Sequence, residues 1–281
     1  MPDKVIVVGK NSYIGDRLSH YLRAINREVV SLSSSDCDFR CCEEVAALFH
    51  SLGGQPVTIV FLAVIKKAAS NDYQAYLDNI SLVNNLIQAG SGTSIRSIIY
   101  LSSADVYGRK PTLPISEQTK TDPDTWYGLA KYTCEWMLMS SAAISCPVTI
   151  LRIPGIFGKA RSDKSVIGRM VDSARVDGRI TIGGGGEALR DYVYLDDLCE
   201  LISLLIANRY NGIVNVATGV SQSILEIAKC IGRTLHVEFE IAIEPGKDER
   251  SFDLVFDNVK LRSLFPGFRF SRLDEGIRSY I

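Results

Sequence analysis

Short apolar runs alternate with longer segments of helical periodicity over the first 155 residues. The runs KVIVVG, EVVSL, TIVFLAV, SIIYLSS and VTILRI have the length and β-branched composition of buried strands. Between them, segments such as YIGDRLSHYLRA and YLDNISLVNNLIQAG repeat apolar residues every three or four positions, as amphipathic helices do. This alternation predicts an α/β fold, a doubly wound parallel sheet covered by helices on both faces, with ligands at the carboxyl ends of its strands.

The alternation becomes irregular beyond the last of these strands. Shorter elements and a glycine run at 183–186 follow. We therefore predict a sheet domain at 1–155 and a smaller region at 156–281, with segments of that region packing back on the sheet domain.

Charge and hydropathy argue against several classes of partner. The 281 residues carry a formal net charge of -1, so the broad basic field that nucleic acid or an acidic membrane surface requires is missing. No apolar run approaches the roughly 20 residues that span a bilayer. The start, MPDKVIVVGK, has the length and flanks of a strand rather than of a signal peptide. We expect a cytoplasmic protein.

Cysteine and histidine usage gives no support for a metal centre. The seven cysteines form no CxxC pair, and none of the three histidines stands beside another plausible ligand. We expect reduced thiols, mostly in packing positions, and no metal site.

A glycine-containing turn, GKNSYIG, follows the first strand and opens the first helix. Glycines in that context permit close approach of a dinucleotide pyrophosphate to the positive end of the helix. Gly9 and Gly15 match this pattern, whereas Ser12 replaces its middle glycine. Such glycines also serve packing alone; the succession of strand and helix units favours the cofactor interpretation.

The end of the second strand bears on the choice of cofactor. An acidic residue there normally holds the ribose hydroxyls of NAD, but this strand ends in serines 33–35. With Lys10 in the first turn, that favours NADP(H) slightly over NAD(H); a solvated serine turn that tolerates either is the alternative. Asp38 could bind the adenine amino group, or it could be a loop carboxylate without a role.

Tyr127 and Lys131 stand four residues apart in YGLAK, on one face of a predicted helix. A nearby ammonium favours the phenolate, so this tyrosine could exchange protons near neutral pH. Tyr-x-x-x-Lys also occurs by chance on surface helices, but this helix follows the strand that ends in Ser102 and Ser103. A hydroxyl at that edge can bind a carbonyl or alcohol while the tyrosine moves its proton.

Eight segments in order carry a family resemblance: VVGKNSYIG, FLAV, YLSSADVYG, YGLAK, LRIPGIFG, RDYVYLDDL, NVATGVSQSILEIA and FDNVKLRSLF. Together they resemble the extended short-chain dehydrogenases/reductases, the NAD-dependent epimerase/dehydratase family that acts on nucleotide sugars. The resemblance covers nearly the whole chain. It implies an enzyme with a Rossmann-type dinucleotide-binding domain and a smaller substrate-binding region, and a homodimer formed through two helices of the sheet domain.

The resemblance also implies roles for individual residues. Tyr127 would be the catalytic acid/base, Lys131 would bind the nicotinamide ribose and lower the tyrosine's pKa, and Ser103 would orient the substrate hydroxyl. Asn79 matches an asparagine that supports this centre. The cofactor contacts would be Gly9, Lys10, Asn11, Ser12, Tyr13, Ile14, Gly15, Ser33, Asp38, Phe39, Leu62, Ala63, Val64, Tyr127, Lys131 and Pro154.

Arg190 would bind the diphosphate of the substrate through a charge-assisted, bidentate contact. The alternative is a structural ion pair with Asp191 or Asp196. Asp105 takes one of two positions that supply an acid and a base in the family's 4,6-dehydratases; it could be an acid/base group, or it could cap the following turn.

Departures from the family pattern argue against two of the family's reactions. Gly155 replaces an asparagine that many epimerases and dehydratases carry, which weakens a simple UDP-galactose 4-epimerase assignment. The cysteine and histidine of the 3,5-epimerase-reductases that make GDP-fucose are also missing. The short chain, the compressed SLSSSDCDF segment, the NADP-compatible serines and the lack of a dehydratase pair favour reduction of a 4-keto-6-deoxy nucleotide sugar with Tyr127 as proton donor. The alternatives are a 4-epimerase with retained NAD and a catalytically silent dinucleotide sensor, although the intact Ser103, Tyr127 and Lys131 argue against a sensor.

Overall fold

The computed structural model describes residues 4–66, 69–91, 93–159, 165–244 and 252–281. The chain divides into two compact units. The first unit takes in residues 1–108, 121–152 and 199–214; the second takes in 109–120, 153–198 and 215–281. Each unit therefore contains more than one stretch of the sequence.

The regular elements alternate between strand and helix up to the fifth strand. In chain order they are β1 (Lys4–Val8), α1 (Tyr13–Ala24), β2 (Val29–Leu32), α2 (Cys42–Ser51), β3 (Val57–Phe61), α3 (Tyr73–Gly90), β4 (Ile95–Leu101), α4 (Trp126–Ser140), β5 (Val148–Arg152), β6 (Gly155–Phe157), α5 (Val166–Val176), β7 (Arg179–Gly183), β8 (Leu189–Arg190), β9 (Tyr192–Tyr194), α6 (Leu195–Asn208), β10 (Gly212–Asn215), β11 (Gln222–Ser223), α7 (Ile224–Leu235), β12 (Glu240–Glu244), α8 (Val259–Leu264) and α9 (Leu273–Ile277). Short 3-10 turns cover 104–107, 184–186 and 278–280.

The first unit is built on a six-stranded sheet in the order β10-β5-β4-β3-β1-β2. Neighbouring strands from β2 through β1, β3 and β4 to β5 are parallel, so their carboxyl ends share one edge. From β1 the chain runs outward to β2 and then crosses back to β3. This reversal opens a crevice at the carboxyl edge, where ligands of such sheets bind. The predicted fold class is confirmed.

Three helices of the first unit, α1, α3 and α4, begin where a side chain accepts an otherwise unpaired backbone N–H group of the first turn. Ser12 accepts from Gly15 N, Asp72 from Ala75 N and Thr125 from Gly128 N. Their apolar faces pack on strands that are buried on both sides, such as β3, of which every residue is buried. These caps fix the starts of α1 and α4, the two helices that carry the candidate site.

The second unit pairs its strands two by two: β11 with β8, β12 with β7 and β6 with β9. Its own apolar core joins α5, α7, β7 and the C-terminal turn, with Phe157, Ile167, Val171, Ile231 and Ile277 almost fully buried. Across the described ranges of both units, no helix combines the length and hydropathy required to cross a bilayer.

Candidate active site

Ser103 and Tyr127 meet at the carboxyl edge of the sheet. Ser103 follows β4 and caps the 3-10 turn, accepting a hydrogen bond from Asp105 N at 3.1 Å. Tyr127 lies in the first turn of α4, where its backbone N–H donates to Asn71 Oδ1 at 3.1 Å. Ser103 is among the groups that shift the pKa of Tyr127, so the two side chains lie near each other. The structure therefore brings together the serine and tyrosine that the sequence analysis paired.

Lys131 lies one turn further along α4 and is 3% exposed. Its ammonium donates to Leu101 O at 2.6 Å and stands 4.7 Å from the ring centroid of Tyr100 and 5.9 Å from that of Tyr127. Burial lowers the pKa of Lys131 to about 8, although the nearby Cys134 and Glu135 favour the charged form. The ammonium is thus anchored to the end of β4 beneath the phenol.

The pKa of Tyr127 is raised above its ordinary value, mainly by burial and further by the charge of Asp105, while interaction with the Ser103 hydroxyl lowers it. This direction is opposite to the one expected from Lys131 alone. The reason is geometric, because the lysine is committed to Leu101 O and lies beneath the tyrosine ring. The phenol is therefore held in its protonated form at neutral pH and can act as a proton donor.

Asp105 has two structural roles. Its backbone N–H donates to the hydroxyl of Ser103, which caps the turn, and its carboxylate charge raises the pKa of Tyr127. The turn also packs tightly on α4, because a Cβ at Gly128 would lie 2.6 Å from Asp105 O. Asp105 thus belongs both to the turn and to the surroundings of the phenol.

A buried ion pair that sequence reasoning missed lies beneath these groups. Arg152, the last residue of β5, donates Nη2 to Glu135 Oε2 at 2.7 Å and Nε to both carboxylate oxygens at 3.1 and 3.2 Å. Ser102 donates its hydroxyl to Glu135 Oε1, and Arg152 Nη1 donates to Tyr107 Oη at 3.0 Å. A signal was present in the sequence, since Glu135 follows Lys131 at the same spacing that separates Lys131 from Tyr127.

The turn between β1 and α1 leaves no room for larger residues at its glycines. Gly9 has φ +108°, and a Cβ there would lie 3.1 Å from Ala63 N and 3.2 Å from Leu62 C. A Cβ at Gly15 would lie 2.2 Å from Gly9 O. Asn11, Tyr13 and Ile14 complete this turn at the start of α1. The turn forms the narrow, glycine-lined cradle that a dinucleotide pyrophosphate requires.

A carboxylate does stand at the end of β2, contrary to the expectation from its serines. Asp36 Oδ2 accepts Ser33 N at 2.8 Å, the Ser33 hydroxyl, and Lys10 Nζ at 2.7 Å. The hydrogen bonds from Lys10 and Ser33 hold the pKa of Asp36 far below its usual range. Lys10 is thereby tied to an anion beside the position where an adenosine ribose would lie.

Phe39 and Asp38 are engaged within the protein. The ring of Phe39 is buried and packs edge-on against Phe61 with 5.2 Å between centroids, and Phe39 O accepts from Asn85 Nδ2. The side chain of Phe39 is therefore a core residue. Asp38 pairs with Arg40 at 2.6 Å, and the hydrogen bond from Arg40 lowers the pKa of Asp38.

The loop after β3 is held by the buried Asn79. Its Oδ1 accepts from Ile65 N at 2.8 Å, and its Nδ2 donates to Ile65 O and Ala75 O. Leu62 is buried, whereas Ala63 and Val64 are partly exposed. Asn79 therefore fixes the backbone of the segment that faces the glycine turn.

Arg190 and Pro154 belong to the second unit. The Arg190 guanidinium donates Nη1 to Leu189 O at 2.8 Å and to Phe252 O, and it stacks on the Phe252 ring with 5.1 Å to the centroid. Asp191 is used differently, because its carboxylate accepts from Thr218 and Gly219.

Two cavities of the second unit reach Arg190, with volumes of about 840 and 500 Å³. One carboxylate, Asp274, lines the larger cavity, together with six arginines: Arg190, Arg233, Arg262, Arg269, Arg272 and Arg278. Both volumes are within the usual range for small-molecule sites. The excess of guanidinium groups suits a polyanionic ligand.

In the ranges that the structure describes, no group of three histidine, cysteine, aspartate or glutamate side chains is arranged to hold a metal ion. All seven cysteines are free thiols, and four of them, Cys37, Cys134, Cys199 and Cys230, are buried.

The chain was compared with known families and proteins. The sequence profile of the NAD dependent epimerase/dehydratase family matches residues 5–217. A protein of Bacillus subtilis (strain 168) described as an uncharacterized UDP-glucose epimerase, YtcB, is 27% identical over 73% of this chain, which spans 65% of that relative's length. The GDP-6-deoxy-D-talose 4-dehydrogenase of Aggregatibacter actinomycetemcomitans is 24% identical, covering 80% of this chain and 77% of that one. The structure of RMD from Pseudomonas aeruginosa complexed with NADPH superposes with a TM-score of 0.85 at 22% identity, over 99% of this chain and 97% of that chain.

Proposed function

The chain belongs to the NAD dependent epimerase/dehydratase family, and from that premise we propose that it reduces the 4-keto group of a 4-keto-6-deoxy nucleotide sugar. The membership inferred from sequence motifs is confirmed. One observation carries the proposal. Ser103, Tyr127 and Lys131 lie together at the carboxyl edge of the sheet, with the Lys131 ammonium 5.9 Å from the Tyr127 ring centroid, and a phenol that is protonated at neutral pH is the proton donor that a carbonyl reduction consumes.

The residues of the first unit fit a bound dinucleotide. The glycine turn packs closely, since a Cβ at residue 9 or 15 would meet neighbouring backbone atoms, and the start of α1 offers the positive end of a helix. The backbone of residues 62–64 would line the same crevice, and Lys131 would hold the nicotinamide ribose. When bound, the reduced nicotinamide supplies the hydride.

In the proposed reaction, Ser103 donates a hydrogen bond to the C4 carbonyl oxygen and orients it. Tyr127 gives its phenolic proton to that oxygen as hydride adds to C4, so that the C=O bond becomes CH–OH. The resulting Tyr127 phenolate is stabilised by the Lys131 ammonium until a proton from water restores the phenol. Lys131 must therefore be charged, as it is below its pKa of about 8.

We propose a slight preference for NADP(H) over NAD(H). Lys10 and the serines that follow β2 would receive a 2′-phosphate through charge-assisted and neutral hydrogen bonds. Asp36 opposes this preference, because its carboxylate already neutralises Lys10 at 2.7 Å. The balance between the two side chains sets the size of the preference.

The substrate class is supported by the second unit. The larger cavity is lined by six arginines and a single carboxylate, and Arg190 also lines the smaller one. A nucleoside diphosphate carries the negative charge that such a lining attracts, and guanidinium groups bind phosphate oxygens in pairs. Arg190 is proposed to contact the diphosphate.

A 4-epimerase with retained NAD is the second candidate. It is favoured by the Bacillus subtilis relative, which is described as an uncharacterized UDP-glucose epimerase. The same Tyr127, Ser103 and Lys131 would serve, because an epimerase first oxidises C4 and then reduces it on the other face. Gly155 opposes this candidate, since it replaces the asparagine of many epimerases.

A direct assay separates these candidates. Purified protein is given GDP-4-keto-6-deoxymannose with NADPH or NADH, and absorbance at 340 nm is followed; in parallel, UDP-glucose is incubated without added cofactor and the sugar is followed by NMR. We expect stoichiometric oxidation of the reduced cofactor in the first assay. Conversion of UDP-glucose to UDP-galactose without net cofactor change would establish the epimerase instead.

The proton donor is tested in the same assay by Tyr127→Phe. We expect activity to fall by roughly 10²- to 10⁴-fold, as for loss of a general acid, with NADPH affinity nearly unchanged. Tyr132→Phe is the matched control, because Tyr132 is on the same helix but exposed. Full activity of Tyr127→Phe would contradict the proposed role and favour a dinucleotide sensor.

We also propose that the protein is a homodimer that associates through α3 and α4. Large apolar side chains are exposed on these two helices: Tyr73, Leu77, Trp126, Tyr132, Trp136 and Met139. Trp126 contacts Tyr73 and Tyr76 with centroids 5.6 and 5.8 Å apart. Large exposed apolar groups mark interaction surfaces.

A further inference from the structure

Three residues on one face of α4 are spaced four apart: Tyr127, Lys131 and Glu135. Tyr127 as a residue is of intermediate burial, whereas Lys131 and Glu135 are 3% and 2% exposed. Glu135 has no direct contact with Tyr127, but it binds groups that lie next to Ser103, Tyr127 and Lys131. Its carboxylate accepts a hydrogen bond from Ser102 Oγ and further hydrogen bonds from the Arg152 guanidinium.

These contacts fasten the segment 101–107 at three points. Lys131 holds Leu101 O, Glu135 holds Ser102 Oγ, and Arg152 holds Tyr107 Oη at 3.0 Å with its guanidinium carbon 4.9 Å from the ring centroid. Ser103 lies between the second and third points. The position of its hydroxyl relative to the Tyr127 phenol therefore depends on where its two flanks are held.

A buried ion pair usually adds little net free energy to the stability of the fold. Removing two charges from water is costly, and replacing such a pair by apolar residues of similar volume is often neutral or stabilising. Glu135 is hydrogen-bonded to Ser102 after β4, and Arg152 is hydrogen-bonded to Tyr107 in the 3-10 turn. We infer that Glu135 and Arg152 are positioning residues, which set the placement of Ser103 and Lys131 for proton transfer to or from Tyr127.

The charge of Glu135 adds a second effect. Burial lowers the pKa of Lys131, and Glu135 opposes that decrease. The other ionisable groups around this centre are Asp105 from the turn, Tyr100 from β4 and Cys134 from α4. None of them replaces the Glu135 carboxylate, because Asp105 acts on the phenol, and Tyr100 and Cys134 are neutral at pH 7, with burial raising the pKa of each.

The kinetic part of the test rests on the proposed function, so it is combined with a measurement that needs no substrate. The double variant Glu135→Leu/Arg152→Met removes the pair while keeping its volume. We expect its thermal midpoint to stay within a few degrees of wild type, and its kcat for GDP-4-keto-6-deoxymannose to fall about 10- to 100-fold, the cost of a misplaced catalytic group, with KM changed much less. Wild-type kcat in the folded double variant would overturn the inference.

Tyr107→Phe is the milder companion, in case the double variant does not fold. It removes only the hydroxyl that accepts from Arg152 Nη1. We expect kcat to decrease severalfold, with an intact fold by circular dichroism. An unchanged kcat in this variant together with an unchanged kcat in Ser102→Ala would overturn the inference.

The substrate-free measurement follows Lys131 by NMR of protein labelled at lysine Cε, with Lys131→Met used for assignment. Glu135 favours the charged form of Lys131, so in Glu135→Gln we expect the pKa of Lys131 to move down relative to wild type. Glu28→Gln, which breaks the exposed pair with Lys4, should leave it unchanged. An unmoved Lys131 in Glu135→Gln would count against the inference, whereas a moved Lys131 in a protein that reduces no 4-keto sugar would refute only the proposed function.

Discussion

The ring of Tyr192 occupies the space that a side chain at Gly155 would need, within the second unit. A Cβ at residue 155 would lie 2.3 Å from Cε1 and 2.4 Å from Cδ1 of that ring. The two residues are also paired in register across the parallel strands β6 and β9. An aromatic ring therefore fills the place of the side chain that many epimerases carry as asparagine, and the departure from the family pattern involves two coupled residues.

Adding a methyl group at residue 155 should destabilise the second unit unless the ring is also reduced. Overpacking of this kind costs typically 1–3 kcal/mol, so we expect Gly155→Ala to lower the free energy of unfolding by about that amount. Gly155→Ala/Tyr192→Val should recover most of it. Urea unfolding checks this, with Gly267→Ala as control because no atom lies near its added Cβ; equal losses in the single and double variants would contradict the shared space.

Cofactor selectivity should respond in opposite directions to the two members of the Lys10–Asp36 pair. Asp36→Asn frees Lys10 and removes a negative charge, so the affinity for NADPH relative to NADH should rise. Lys10→Gln should lower that ratio. Fluorescence titration of each variant with both cofactors measures it, and Asp16→Asn, on the exposed side of α1, is the control. A ratio that neither substitution changes would show that the 2′-phosphate lies elsewhere.

The stability of the protein should depend on the titration of Lys131. Burial lowers its pKa from 10.5 to about 8. Between these values the unfolded chain binds a proton that the folded chain does not, so the contribution of Lys131 to stability rises with pH. Relative to Lys131→Met, wild type should gain about 2 kcal/mol between pH 7.5 and 9.5, at 1.36 kcal/mol per unit. Paired urea titrations at the two pH values measure the gain, and a constant difference would contradict the buried ammonium.

The proposed dimer should depend on the exposed face of α4. Trp136 is 66% exposed, and Trp136→Glu would place a charge in the middle of an apolar interface. Sedimentation should give twice the 31.0 kDa chain mass for wild type and the single-chain mass for the variant. Val176→Glu is the control, since Val176 is 82% exposed on α5 of the second unit. A monomeric wild type would refute the dimer.

The elements of the first unit could be predicted because their signals are local. The run SIIYLSS and the helix that contains Tyr127 and Lys131 are each defined by residues close together in sequence, and parallel strands bring their carboxyl ends to one edge. The sixth strand, β10, could not be placed in this way. It has only four residues and joins the sheet from position 212 onward, so its partner is not encoded in its own pattern.

The missed residues of the site share a physical cause. Glu135 and Arg152 are polar residues whose burial becomes visible only when α4 is packed against β5. In the sequence, Asp36 has the pattern of a loop residue. Only the backbone turn brings its carboxylate into contact with Ser33 and Lys10. Gly155 could be recognised as a departure, but Tyr192, which fills its place, is 37 positions away in sequence. Pairings of this kind are tertiary. The spacing of Glu135 from Lys131 places both on one helix face, but nothing in that pattern identifies Arg152 as the partner.

The serine that interrupts the glycine pattern has a further consequence. Ser12 Oγ accepts Gly15 N at 3.0 Å, and Ser12 N donates to Gly9 O at 3.0 Å. The loop is therefore closed by its own hydrogen bonds before any phosphate arrives. A ligand that enters a preorganised loop spends little of its binding free energy on ordering the backbone, and a Ser12→Gly chain would have to recover that ordering at each binding event.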